Sequence, residues 1–466
     1  MSESCHPSNP RSGGLPARRG LASLSLAILL LVAGAPPGSA QGTSASGELE
    51  VHPVAVWPPG PLQVIAAFDR PIDPAAAKSL IGRTISYFET RPDVPGQASP
   101  AMPLGALRIV GARLIDDGRT LVLATDPHPR VARYRLPLSA GAYDLTGVEA
   151  AWSERDDPPD SPSWSGWWPQ LDLEPTRHLA RDSKPHEAGL ALLSRPGRLT
   201  LSTLIRLPAG QVTLRIDASG PIEEAMLGDA QPGESPPDSK DGAHHALLTV
   251  ESKGEPLFFT TTVRTGGNAR PFSFKATYRP AAEKADHPIG RDRLMVPWSP
   301  QLADAAIAAP IAVPDLSGGD PDRGRVIFSG DQGRCAQCHA FRGQGGKVGP
   351  DLTEVGRKGR AEIYRNIAAP SAAIEPDYTS YTVATKAGQV VAGLVRAEGP
   401  DTIQVTDTNA HTTVIRREDI REIRPSATSI MPPGLASALG DVAVRDLIAY
   451  LTSPEPRPAT QPRAVR

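Results

Sequence analysis

Cysteine is almost missing from this chain: three among 466 residues, at positions 5, 335 and 338. A structural zinc site needs two further soft ligands beside one cysteine pair, and no second Cys-x-x-Cys and no His-x-His occurs. An excess of charge is missing too. Lys plus Arg number 49 and Asp plus Glu 51, a net charge of -2 with no long basic run, which excludes nucleic acid as a partner. After residue 40 no segment is apolar enough to cross a bilayer. Helix-period stretches are few, whereas 50 prolines and 43 glycines punctuate the chain. Mostly β-sheet with long connections is therefore expected outside the C-terminal portion, and the length points to two or three domains.

The N-terminus reads as an export signal spanning 1–40. Arg11, Arg18 and Arg19 form a basic region, 21–35 is apolar, and Gly38-Ser39-Ala40 supplies small residues for cleavage. The apolar core falls short of the ~20 residues a spanning helix needs, which favours cleavage after Ala40 over a retained anchor. The expected location is the periplasm or cell envelope. Cleavage removes Cys5 and leaves Cys335 and Cys338 as the only cysteines.

Residues 48–146 carry short alternating runs. Leu62, Val64, Ala66 and Phe68 alternate before Asp69-Arg70-Pro71, and 107–114 and 120–125 flank Asp116-Asp117-Gly118, a hairpin signal. Trp152, Trp164, Trp167 and Trp168 then cluster in a connection; they plug a domain junction or, alternatively, form a sugar-stacking platform. Asp156, Asp157 and Asp160 lack the spacing of a calcium loop and read as a solvated acidic loop. A second strand-rich stretch, 165–282, predicts another β-sandwich, and 283–318 reads as a linker rich in Ala and Pro. His178, His186, His244, His245 and His287 are expected at the surface. Neither β region holds a catalytic triad, a nucleotide loop or His-Glu-x-x-His.

The residues that carry chemistry lie further on, in Cys335-Ala-Gln-Cys338-His339. Cys-x-x-Cys-His is the attachment signature of one covalent haem c, with both thiols adding to the vinyl groups and the histidine lying under the iron. A redox dithiol is the rival, although the βαβ pattern expected around one is not apparent. Asp320-Pro321 opens a helix on which Gly324 and Phe328 share a face, and Asp441 opens another striped by Val444, Leu447, Ile448 and Leu451, with Tyr450 beside it.

On these residues 319–454 resembles the class I cytochrome c superfamily, and specifically its planctomycete/verrucomicrobium-type haem-binding domain. The resemblance rests on Cys335-x-x-Cys338-His339, Gly349-Pro350-Asp351-Leu352-Thr353, Ala369-Pro370-Ser371, Tyr381, Gly388, Ser426 and Ser429-Ile430-Met431-Pro432. It implies that His339 and Met431 are the axial iron ligands, that the Pro350 carbonyl accepts a hydrogen bond from His339, and that Leu352 packs on the haem edge. His411 is a rival sixth ligand, and loop packing a plainer role for Met431. A β insertion at about 378–425 separates the haem helices. The run Ala67-Phe68-Asp69-Arg70-Pro71-Ile72-Asp73 gives 48–146 a loose resemblance to bacterial Ig-like domains. The expected fold is therefore multidomain: two N-terminal β-sandwich-like domains, then an α-helical cytochrome c domain with a small β insertion.

Three functions compete. An exported monohaem electron carrier working with a redox partner protein, with the β domains for docking, ranks first. Sixteen acidic and sixteen basic residues between Gly319 and Ser453 give no single-sign docking field. A peroxidase-like haem enzyme needs a displaceable sixth ligand; a subunit of an exported dehydrogenase would leave catalysis to another chain. A binding protein for envelope polysaccharide, with ancillary haem, has only the tryptophan cluster in its favour.

Overall fold

Asp116, Asp117 and Gly118 all adopt left-handed backbone, with φ of 53°, 55° and 82°, a conformation that Gly and Asp tolerate best. They reverse the chain between strands Gly105–Ile115 and Thr120–Thr125. In the computed structural model, which describes residues 51–89, 102–139, 141–155, 162–233, 243–266, 271–299, 311–372, 374–426 and 428–454, this hairpin is the centre of a seven-stranded antiparallel sheet. Its order is Ala55–Gly60, Gln63–Ala67, Thr120–Thr125, Gly105–Ile115, Thr84–Phe88, Arg133–Arg135, Ala142–Tyr143. Its first and last strands come side by side, so the sheet curls around Trp57, Phe68, Leu80, Ile85, Ile109, Leu121 and Tyr134. The export signal and the acidic loop lie outside the described residues.

Two further sheets face each other. One has the order Ile222–Leu227, Pro256–Thr265, Gly197–Arg206, Val148–Glu154, Trp164–Trp168, with Leu294–Met295 also paired to Gly197–Arg206. The other runs His244–Ser252, Gly210–Ala218, Phe274–Pro280, His287–Pro288. Strand alternation sends Leu199 and Leu201 inward to meet Leu214, Ile216, Phe259 and Val263, while Thr200 and Ser202 face away from that core. Within the stretch read as a linker, His287–Pro288 and Leu294–Met295 are strands, and Val296 and Trp298 are buried against the first sheet's core.

Seven helices complete the described residues: α1 (Pro74–Lys78), α2 (Leu173–Leu179), α3 (Lys184–Leu192), α4 (Pro321–Ser329), α5 (Cys335–Cys338), α6 (Arg360–Ala368) and α7 (Leu435–Leu451). Between α6 and α7 lies a five-stranded sheet in the order Thr412–Arg416, Thr402–Thr406, Val390–Ala397, Ser380–Thr385, Ile420–Pro425.

The expected multidomain fold ending in an α-helical cytochrome domain is corrected here. Of the described residues 39% are strand and 20% helix, and all of them fall in one compact unit. The physical reason lies in 380–425, whose alternating β-branched residues build a core of their own. Tyr381, Val383, Val395, Ile403, Val405 and Ile415 gather there, joined by Leu62 from the first sheet. The joint is polar as well. Arg417 donates to the carbonyls of Leu62 (2.9 Å) and Thr125 (3.0 Å), and the Tyr381 hydroxyl donates to His128 O (3.0 Å). Asp126 accepts from Ala397 N at 3.0 Å and from Arg108 at 2.8 Å. The Ig-like expectation is corrected too: 55–143 forms one curled sheet rather than two stacked ones.

His128 is the buried pivot of that joint. Its Nδ1–H donates to Pro61 O at 2.8 Å, since a carbonyl can only accept, so Nε2 takes the hydroxyl proton of Tyr143 at 2.8 Å. Burial pushes the imidazole down to about 4 from its usual 6.5. Because the folded value is depressed, the stability this group contributes is present above pH 6.5 and is lost as pH falls toward 4. Unfolding free energies from urea titrations at pH 7 and pH 4.5 should differ by roughly 2–3 kcal/mol more in the native chain than in His128→Gln; equal differences would contradict this assignment.

Candidate functional site

The C-terminal portion begins with a capped helix. The Asp320 carboxylate accepts from the backbone of Asp322 (2.9 Å) and Arg323 (3.2 Å), and Pro321 occupies the first turn of α4, as an N-terminus with unpaired donors favours. One turn on, α4 crosses α7. A side chain at Gly324 would overlap the Asp446 carbonyl oxygen and stand 2.7 Å from Tyr450 Cβ, so only glycine allows the two backbones to meet. Arg323 clamps the crossing with bonds to the Asp446 carboxylate of 2.7 and 3.0 Å, and Asp320 N adds a third at 2.7 Å. These bonds, the Arg323 ones first, hold the Asp446 carboxyl below the usual range. Asp446 is only 3% exposed, covered by a thin layer of Arg323 and the α4 N-terminus rather than by depth.

Beneath the crossing Phe341 and Tyr450 pack edge to face and Phe328 tilts against both, with ring centroids 4.9–5.9 Å apart. Arg342 lies 4.5 Å over Phe341. α7 starts at Leu435, ahead of the expected Asp441, and Gly440 breaks it with a φ of 77°. Asp441 follows the break, and Val444, Leu447, Ile448 and Leu451 are buried as the stripe requires.

The single turn α5 presents Cys335 and Cys338, both free thiols and half-buried. His339 follows in extended backbone, its N–H donating to Cys335 O at 2.9 Å. The next loop wraps back over this turn. Gly349 N donates to Cys338 O at 2.8 Å, and a Cβ on Gly349 would stand 2.6 Å from His339 Cε1. That close approach puts the Pro350 carbonyl 2.8 Å from His339 Nδ1. The carbonyl has no proton, so Nδ1–H is the donor and Nε2 keeps its lone pair. Burial lowers the imidazole pKa, which keeps the ring neutral at neutral pH. Burial pushes the Cys335 thiol up to about 11 and also raises Cys338.

Met431 packs against the same apolar cluster as Leu352, Cys335 and Ala336, together with Val355, Leu435 and Leu439. Its loop is pinned by serines: Ser429 N donates to Ser371 Oγ (3.0 Å), Met431 N to Ser429 Oγ (3.1 Å), and Ser380 Oγ to Thr428 O (2.6 Å). The structure thus gathers Cys335, Cys338, His339, Pro350, Leu352 and Met431 into one portion. His411 is not among them; it sits 83% exposed at a hairpin tip beside Asp407. Phe341 and the pinning bond from Ser371 carried no signal of their role in the sequence.

The donor set fits a covalent porphyrin: two neutral thiols, one neutral imidazole with Nε2 free of hydrogen bonds, and half-covered apolar side chains around them. The tryptophans do not fit a stacking platform. Trp152, Trp167 and Trp168 are buried core residues, and Trp57 stacks on Trp167 at 5.8 Å. His186, expected at the surface, is buried with its Nδ1 on Ser183 Oγ at 2.7 Å.

No family model matches the chain, and no curated protein matches it. Solved structures with similarity include an anti-sigma factor domain-containing protein (9% identity, TM-score 0.26, 53% of this chain and 93% of that one). Others are a PA14 sugar-binding domain from an RTX adhesin (10%, 0.24, 33% and 99%) and the PA14 domain of the antifreeze protein MpAFP (10%, 0.25, 33% and 93%). These TM-scores lie below a shared fold. The resemblance to the class I cytochrome c superfamily and its planctomycete/verrucomicrobium-type haem-binding domain is therefore corrected. The protein is β-rich, and no group of three His, Cys, Asp or Glu able to hold a metal ion stands together among the described residues. The motifs behind the resemblance are a few residues long and sit on loops and one helical turn, which do not determine the fold around them.

Gly324→Ala should destabilise the protein by about 2–3 kcal/mol in urea unfolding, because a methyl group cannot fit against the Asp446 carbonyl. A change below about 0.5 kcal/mol would show that the crossing is loose.

Proposed function

We propose that the chain is an exported, β-rich envelope protein that carries one covalent haem c at Cys335, Cys338 and His339 and exchanges electrons with a redox partner protein. The observation that supports it best is the hydrogen bond from His339 Nδ1–H to Pro350 O at 2.8 Å. It fixes the tautomer, aims the Nε2 lone pair away from the loop, and strengthens the imidazole as a donor. When bound, the haem supplies one-electron chemistry.

This chain's own residues do the rest. Cys335 and Cys338 would hold the group covalently and His339 Nε2 would bind its iron, with Leu352 packed nearby; the Met431 thioether would be the second protein ligand, a soft donor that favours the ferrous state. The bonds of Ser371 and Ser429 keep the Met431 loop in place. Were Met431 to ligate the iron, no position would be open to peroxide, which favours electron exchange over turnover, and the exposed His411 lies at a hairpin tip.

A second reading gives the β sheets a role in binding envelope polysaccharide. The tryptophan cluster no longer supports it; the cleft described below does.

Optical spectra of the exported protein and of Met431→Ala test the main reading. The native chain should show a low-spin c-type spectrum with a ferric sulfur-to-iron band, and the variant should lose that band. A high-spin spectrum unmoved by the substitution would favour an open iron site and a haem enzyme.

A further inference from the structure

Away from the haem site, a cleft of about 280 Å³ opens where the edge strand of the first sheet stands over the outer face of the six-stranded sheet. Its two walls differ in chemistry. On the first sheet, Pro59 and Ile65 line the cleft, and Trp57, the register partner of Ile65, lies buried behind them at 2% exposure. That wall is apolar and rigid, with Trp57 wedged between Trp167 and His186.

The opposite wall is a patch of the six-stranded sheet in exact register. Glu149 pairs with Ser202, and Ala151 pairs with Thr200 on one side and Ser165 on the other. The hydroxyls of Thr200 and Ser202 each make one cross-strand bond, to Thr262 at 3.1 Å and Thr260 at 3.0 Å. A hydroxyl carries one donor and two acceptor positions, so both keep capacity for a ligand. Glu149 retains an exposed surface. Even so, the concave wall raises its carboxyl to about 7, an effect that Arg424 offsets and Glu422 reinforces.

We infer that this cleft binds one neutral saccharide unit, its ring lying against Pro59 and Ile65 and its hydroxyls meeting Glu149, Ser202 and Thr200. A purely apolar ligand would leave the carboxyl and hydroxyls without partners, which is costly when water is displaced. An anion finds no cation in the lining. A cation finds a single exposed carboxyl that Arg424 already partly compensates. A pyranose presents apolar C–H faces and a rim of hydroxyls, and both walls then find their complement. The volume lies at the small end of ligand pockets, about 300–1,000 Å³, and suits a single ring. The inference deepens the polysaccharide reading and is independent of haem attachment.

The test uses the purified full-length exported protein, titrated with glucose, galactose, mannose and N-acetylglucosamine by calorimetry and saturation-transfer NMR, with glucosamine and glucuronate as charged controls. At least one neutral sugar should bind saturably in the millimolar range. Glu149→Ala should weaken it by about tenfold or more, and Ser202→Phe, which fills the cleft, should abolish it. Circular dichroism establishes that each variant is folded; Glu149→Ala alters an exposed residue and carries the test should Ser202→Phe misfold. Replacing Cys335 and Cys338 by alanine should leave sugar binding unchanged, which separates this inference from the haem reading. Absence of saturable binding by every neutral sugar, preference for glucosamine or glucuronate, or binding unmoved by Glu149→Ala would each overturn it.

Discussion

The contact of α4 with α7 at Gly324 is the constraint on which the C-terminal portion depends. With no side chain at that position the backbones touch, and Asp446 is then placed to take three hydrogen bonds from Arg323 and Asp320. Everything with chemistry hangs from the two ends thus joined. α4 leads into the Cys335–Cys338 turn, and α7 is preceded by the Met431 loop. Phe328, Phe341 and Tyr450 fill the space beneath. A loose crossing would let the Cys335–Cys338 turn and the Met431 loop drift independently; a locked one holds Cys335 and Met431 against a single apolar cluster.

The five-stranded sheet ties this portion to the rest. Arg417 ends at two backbone carbonyls of the first sheet, and Tyr381 reaches the carbonyl of His128. Burial of the Arg417 guanidinium lowers its pKa, so the joint is held by charge-assisted bonds in a shielded setting, where such bonds count for more than at an open surface. Removing one partner there leaves the other unsatisfied, which is why the sheet behaves as a part of the body and not as an appended loop.

How much of this was legible in the sequence depended on range. Local signals were clear: Asp116-Asp117-Gly118 turns the hairpin, Asp320-Pro321 starts α4, and the stripe Val444, Leu447, Ile448 and Leu451 is buried. The position of the Pro350 carbonyl came only from the resemblance, and it does face His339. Long-range pairings were not legible. The stretch read as a connection holds two strands, Val148–Glu154 and Trp164–Trp168, the former paired with Gly197–Arg206, and nothing in the hydropathy of 380–425 names Leu62 as a core partner. The buried histidines His128 and His186 were hidden for the same reason, since their partners Tyr143, Pro61 and Trp57 come from elsewhere in the chain. The fold expectation erred where short motifs were allowed to speak for a whole domain; a five-residue haem signature says what one turn can bind and little about the sheets around it.

The central claim is the covalent bond between this chain and a haem, and intact-mass spectrometry of the exported protein under denaturing acid tests it most directly. The account predicts the mass of the chain from residue 41 onward plus one haem, retained after unfolding and reduction. A mass equal to the bare chain, or to the chain less two hydrogens for a Cys335–Cys338 disulfide, would contradict it and leave the β sheets as the seat of function.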